Sequence, residues 1–291
     1  MYKGKPTKHF KFRNILYRKG NWKAQITINR AAVLNCLNLQ TLRELGAAIQ
    51  DAAWDDEVAV LIITGAGTKA FCTGADMKEW SEEFLDRPHD FYKWMGVFME
   101  TFERLRNIGK PTIARLNGIV VGGGNELQMS CDLAVAADDI YIGHAGTSRG
   151  SVAAAGATQW LPLIVGDRRA REILLLNEKI PIQRAYEWGL VNQVVPRREL
   201  DKAVGEMAEK LVNKLPECTL YTKQQLNFWR DFSWSLTIGH LRDWLTVHTS
   251  APEIQEGIRA FMGKREIDYK ALRRSMAAAG SKPKKGKKPS T

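Results

Sequence analysis

Three consecutive glycines, Gly122-Gly123-Gly124, separate the apolar run Ile119-Val120-Val121 from a stretch of helical periodicity that continues to Cys131. Such a sequence reads as a tight turn into a helix. Backbone without side chains lets a ligand carbonyl approach amides that a Cβ would otherwise shield. At a helix N-terminus those amides have no internal partner, and the macrodipole favours negative charge. Glu126 falls within the first turn, close to anything held at the glycines. An oxyanion site beside a carboxylate suits enolate chemistry. A plain glycine turn with a helix-capping Glu has the same letters, and this segment alone does not separate the two readings.

Elsewhere the chain alternates between strand and helix patterns. Ile15–Gly20 and Trp22–Asn29 predict a hairpin turning at Lys19-Gly20-Asn21. Leu39–Ala53 has apolar residues at helical spacing, and Val58–Thr64 is a continuous run of the kind found in a buried parallel strand. Phe91–Arg106 predicts a long helix, Pro111–Asn117 a strand, Asn125–Cys131 a helix and Leu133–Ala137 a strand. This order implies an α/β core with crossover connections. After Glu199 the pattern is almost entirely helical, with Trp229, Trp234 and Trp244 among charged residues. The apolar faces of such an appendage need partners, and a subunit interface would supply them. No internal repeat is visible.

Composition narrows the function classes. Apolar residues make up 44% of the chain, yet no apolar run approaches the roughly 18–20 residues that span a bilayer. The stretch Met1–Arg13 is basic and polar, so no secretory signal is expected. Cys36, Cys72, Cys131 and Cys218 are scattered without a CxxC pair, as in a reduced, cytoplasmic protein. The histidines form no HExxH or HxH pattern, so no metal site is expected. Net charge is +11, of which five lysines in Gly280–Thr291 supply +5. The remaining body charge suits an anionic ligand such as a phosphorylated cofactor, and does not by itself require nucleic acid. Residues 271–291 are expected to form a basic disordered tail.

A second glycine turn, Phe71-x-x-Gly74-Ala75-Asp76-x-x-Glu79, precedes the first. Together with Asn117-Gly118-x-x-x-Gly122-Gly123-Gly124-x-Glu126, it resembles the crotonase (enoyl-CoA hydratase/isomerase) superfamily. Asn29-Arg30, Leu34-Asn35, Gly189–Pro196 and Glu256–Arg265 add to the resemblance, which covers roughly residues 12–268. It implies a β-β-α spiral core over 12–198, with a C-terminal helical region over 199–270 that trimerises or reaches over the site. It further implies a homotrimer or dimer of trimers and an acyl-CoA substrate, with coenzyme A part of that substrate and no separate cofactor. By motif position, the amides of Ala75 and Gly123 would bind the thioester oxygen and Glu126 would move the proton. CoA would run near Arg30, Ala31, Val33, Lys69, Phe71, Ala75, Asp76 and Met77, with Lys264 toward its phosphates.

The sequence departs from the hydratase pattern at one point. A second carboxylate is expected in Phe-Gly-x-Pro-Glu, and Gly146 stands in its place within Ile142–Gly150. His144 and Thr147 are the remaining candidates for holding water or moving a proton; histidine titrates near neutral pH, and both also suit structural hydrogen bonding. Asp76 reads as a helix cap or a proton-transfer group. The stretch Gly150–Gly166 and the aromatic segment from Lys78 resemble the 6-oxocyclohex-1-ene-1-carbonyl-CoA hydrolase branch, although that branch carries an insertion after Val-Val-Pro that is absent here. Water addition to an enoyl- or cyclic dienoyl-CoA is therefore the expected reaction, with ring hydrolysis and double-bond isomerisation as alternatives. A nucleic-acid-binding member using the lysine tail is the rival from another class, against which stands the lack of an aromatic-interleaved basic motif.

Overall fold

The computed structural model describes residues 2–280. Its first strands, β1 (Ile15–Gly20) and β2 (Lys23–Ile28), form the expected antiparallel hairpin, with Ile15 opposite Ile28. Helix α1 (Leu39–Trp54) follows, capped by the Asn38 side chain, which accepts from Thr41 N. Next come β3 (Val60–Gly65), buried at every position, and β4 (Ala70–Cys72). Helix α2 (Met77–Glu79) runs on through a wide turn to Phe84, and α3 (Pro88–Arg106) starts three residues before the expected Phe91, at a proline whose missing N–H costs a first turn nothing. Strands β5 (Thr112–Leu116) and β6 (Ile119–Val121) lead to α4 (Gly123–Met129). Strands β7 (Leu133–Ala137) and β8 (Tyr141–Gly143) lead to α5 (Ala157–Val165). Helix α6 (Asp167–Arg171), β9 (Ile180–Pro181), α7 (Ile182–Glu187) and β10 (Gln193–Val195) complete this part.

Two sheets result, ordered β1-β2-β3-β5-β7-β10 and β4-β6-β8-β9. Pairs β3/β4, β5/β6 and β7/β8 each give one strand to either sheet before a helix takes the chain away, so the β-β-α unit repeats although its sequence does not. Strands β2, β3, β5, β7 and β10 are mutually parallel, as the crossover pattern requires. The glycine turns that end β4 and β6 are thereby stacked side by side, because those strands are neighbours.

The C-terminal part does not divide where composition changes. Helix α8 (Leu200–Val212) buries Leu200, Ala203, Val204 and Ala208 and packs against β3, β5 and β7, so it belongs to the core. Helix α9 (Pro216–His248) is 33 residues long. On its inner face, Lys223 Nζ reaches Asp132 and the Lys110 carbonyl, Asn227 donates to the Arg106 carbonyl and Arg230 donates to the Met129 carbonyl. The last two carbonyls close α3 and α4, so α9 satisfies helix ends that have no internal partner. Its outer face exposes Leu226, Phe228, Trp229, Phe232 and Leu236. Helix α10 (Pro252–Met262) turns back toward α2, and α11 (Tyr269–Gly280) follows. Residues 271–280 are therefore helical rather than disordered, started by the Asp268 side chain accepting from Ala271 N; 281–291 lie outside the described residues. No helix among the described residues is long and apolar enough to cross a membrane.

The Lys223–Asp132 contact, 2.8 Å long and with the lysine side chain 7% exposed, ties α9 to the core. Asp132→Ala is expected to lower stability by about 2–3 kcal/mol, because it leaves a buried ammonium without its anion. Lys223→Met, which removes that charge, is expected to cost less. Urea unfolding of the two variants checks the order, and equal losses would contradict it.

Candidate active site

The two glycine turns meet backbone to backbone. Gly74 adopts φ +87°, and a Cβ placed on it would stand 2.7 Å from Gly123 N. A side chain there would occupy the space between the turns. Leu37 donates to Gly74 O at 2.7 Å and accepts from Asp76 N at 3.0 Å, bonding both neighbours of Ala75. The N–H of Ala75 consequently points away from Leu37. Across from it, Gly122 precedes α4 with φ 55° and ψ −122°, leaving Gly123 N at the first helical position, where no carbonyl lies one turn back. Neither amide has a hydrogen-bond acceptor among the described residues. Both residues line one cavity of about 840 Å³.

Glu126 lines the same cavity and is 2% exposed. Its Oε1 accepts from Ala154 N at 2.6 Å. Its Oε2 has no protein partner, yet it is not among the sealed, unpartnered polar atoms of the described residues. That oxygen therefore opens to the cavity. Burial, with no cation beside it, pushes the carboxyl up to about 8, and the Ala154 bond offsets only part of this. Ala154 was invisible to sequence reasoning because it acts through its backbone.

One wall is aromatic. Trp80 stacks on Phe91 (4.8 Å, 16°), Phe91 on Trp94 (5.8 Å, 9°) and Trp94 on Phe98 (5.1 Å, 17°). The two inner rings, Phe91 and Trp94, spend their faces on neighbours, so what they turn to the cavity is their electropositive edge. Trp80 and Trp94 direct their indole N–H groups to Thr249 (3.4 Å) and Glu79 (3.0 Å). Leu245 of α9, Phe261 and Met262 of α10 and Lys264 just beyond it also line the cavity, and the cationic side chains along it are Lys78, Arg149 and Lys264.

Of the residues singled out from sequence, Val33, Ala75, Asp76, Met77, Gly123, Glu126, His144 and Lys264 line this cavity, whereas Arg30, Ala31, Lys69, Phe71 and Thr147 do not. Arg30 is used as a strut: its guanidinium bonds Asp76 Oδ2 at 2.8 Å and the Cys36 carbonyl at 2.6 Å. Phe71 is fully buried in the core, while Ala31 and Lys69 are exposed beside it. Thr147 Oγ1 donates to Asn177 Oδ1 at 2.6 Å, with Leu174 O the alternative acceptor at 3.1 Å, and the residue does not line the cavity. Asp76 caps α2 through Lys78 N and Glu79 N. His144 is buried, and desolvation lowers it to about 4, so it is neutral rather than a shuttle titrating near pH 7. At Gly146 a Cβ would meet the backbone of Ser151, Val152 and Ala153 at 3.1–3.3 Å, so an acid there requires that loop to shift.

The family model for enoyl-CoA hydratase/isomerase matches residues 19–272. A short-chain-enoyl-CoA hydratase of Clostridium acetobutylicum is 32% identical over 256 residues, covering 88% of this chain and 97% of the relative. A 6-oxocyclohex-1-ene-1-carbonyl-CoA hydrolase of Geobacter metallireducens is 27% identical over 314 aligned positions, covering 89% and 82%. Among solved structures, an enoyl-CoA hydratase from Bacillus anthracis superposes with TM-score 0.71 at 31% identity, covering 89% of this chain and 99% of that one.

The buried carboxyl makes stability depend on pH. Between its unfolded value near 4.5 and its folded value of about 8, native Glu126 keeps a proton that the unfolded chain has lost. Stability therefore falls as pH rises through that window. Glu126→Gln, whose amide oxygen can still accept from Ala154, is expected to gain on the wild type between pH 5 and pH 8. Thermal melts at the two pH values check this, and a constant gap would contradict it.

Proposed function

This chain belongs to the enoyl-CoA hydratase/isomerase family, and on that premise we propose that it adds water to an enoyl- or cyclic dienoyl-CoA thioester. The observation that carries the reading is a buried carboxyl with one open oxygen in the same cavity as two unpartnered amides. The thioester oxygen sits between the amides of Ala75 and Gly123, where each donor is worth about 3–4 kcal/mol of barrier. Ionised Glu126 takes a proton from water through Oε2 as the water oxygen bonds to Cβ. The double-bond electrons move to Cα and the carbonyl, giving an enolate held by the amides. The same oxygen then returns its proton to Cα. One carboxyl suffices because the enolate is stabilised while the proton is in transit. Lys78, Arg149 and Lys264 supply positive charge for the CoA phosphates, and the reading needs no cofactor beyond the CoA of the substrate.

Two neighbouring reactions have specific support. A single open carboxyl oxygen suits moving one proton between carbons, which is isomerisation. Likeness to a ring hydrolase, with the aromatic wall, supports opening of a cyclic oxo-acyl-CoA by a second water. Incubation with linear, cyclic and dienoyl-CoA thioesters separates them by mass: gain of one water for hydration, two for ring hydrolysis, none for isomerisation. No change with any thioester would overturn the reading.

Because the base must be ionised, kcat/KM is expected to rise with pH and level off above about 8. Glu126→Gln is expected to lose this limb and at least ~100-fold in turnover, while still binding CoA ligands. Near-wild-type turnover in this variant would remove Glu126 from the mechanism.

Self-association belongs to the same proposal. Leu226, Trp229 and Leu236 on the outer face of α9 are 71%, 69% and 68% exposed, an apolar surface that the described residues do not cover. A trimer or dimer of trimers is expected, with Trp229→Glu shifting it toward smaller species. Light scattering that gives a stable wild-type monomer at micromolar concentration would contradict this.

A further inference from the structure

One buried polar chain is left unused by this mechanism. Gln128 Nε2 donates to Asn125 Oδ1 at 3.0 Å, and Asn125 Nδ2 lies 3.0 Å from His144 Nε2. Gln128, Asn125 and His144 are 3%, 0% and 3% exposed. With its oxygen committed to Gln128, Asn125 presents only N–H to the imidazole, so His144 Nε2 accepts. A neutral ring that accepts at Nε2 carries its proton at Nδ1. His144 lines the cavity, and Nδ1 has no protein partner. It is also absent from the sealed polar atoms without a hydrogen bond among the described residues. The Nδ1–H therefore opens to the cavity that holds Glu126, in the segment where the second carboxylate is missing.

We propose that His144 is a catalytic residue whose Nδ1–H holds the oxygen that bonds to Cβ, first as water and then as the new hydroxyl. Asn125 and Gln128 are positioning residues that set its tautomer. The inference rests on the hydration reading and deepens it. Where a carboxylate pair contacts one water from two sides, here Glu126 accepts the water's proton and a fixed neutral donor holds its oxygen. A ring that stays neutral cannot compete with Glu126 for that proton; burial, which holds it near 4, keeps it so across the working range.

The test uses binding as well as turnover. Wild type is expected to bind 3-hydroxybutyryl-CoA roughly 3- to 10-fold tighter than butyryl-CoA, the range of one neutral hydrogen bond. His144→Phe is expected to abolish that preference and lower kcat with little change in KM. His144→Asn, whose amide N–H falls near the place of Nδ1–H, is expected to keep much of both. Nitrogen NMR of ¹⁵N-histidine-labelled wild type is expected to show neutral His144 protonated at Nδ1. An Nε2–H tautomer, a wild type without hydroxyl preference, or a preference untouched in the Phe variant would each overturn the proposal. If the Phe variant does not fold, the Asn variant and the wild-type spectrum decide. A chain that hydrates no enoyl-CoA yet shows both the preference and the tautomer would instead indict the hydration reading.

Discussion

The contact between Gly74 and Gly123 sets the geometry on which everything else in this molecule depends. Two turns from neighbouring strands approach until a single Cβ would stand within 2.7 Å of an amide nitrogen. At that approach no side chain fits between the turns, and the unpartnered amides of Ala75 and Gly123 line one cavity. The rest of the local structure holds the turns in place. Leu37 fixes the outer one by bonding on either side of Ala75, and Arg30 braces it through Asp76. The start of α4 fixes the inner one and brings Glu126 round to the same space. Gly124 completes the packing, since a Cβ there would meet Cys72 O at 2.0 Å.

Helix α9 shows a second constraint, in which polar side chains are buried beside apolar ones. Its inner face sets Lys223, Asn227 and Arg230 beside the buried Trp234 and Leu245, because what the three polar residues cover are carbonyl oxygens at the ends of α3 and α4 and the carboxylate of Asp132. Burying such oxygens without donors costs more than burying apolar surface gains at the same place. Leu226, Phe228, Trp229, Phe232 and Leu236 are left on the outside. The same helix reaches the cavity at Leu245.

Much of this was legible in the sequence. The continuous run at Val58–Thr64 announced a buried strand, and the two glycine turns, read through the family resemblance, singled out Ala75, Gly123 and Glu126, which line one cavity. The repeating β-β-α unit was not legible, since β4, β6 and β8 are three residues each and too short to carry a pattern. Arg30 was placed along the CoA path because a strut and a ligand-binding arginine have the same letters; only its bond to Asp76 separates them. Thr147 was misread because its partner, Asn177, is thirty residues away. The helical pattern and the resemblance put a boundary at 198/199, whereas α8, just after it, packs against β3, β5 and β7.

The central claim is that two backbone amides polarise a bound thioester carbonyl. Infrared difference spectroscopy of a ¹³C-carbonyl enoyl-CoA bound to the Glu126→Gln protein tests it without turnover. The account predicts a carbonyl stretch displaced to lower frequency than that of the free thioester. A bound thioester whose stretch matches the free one would contradict it.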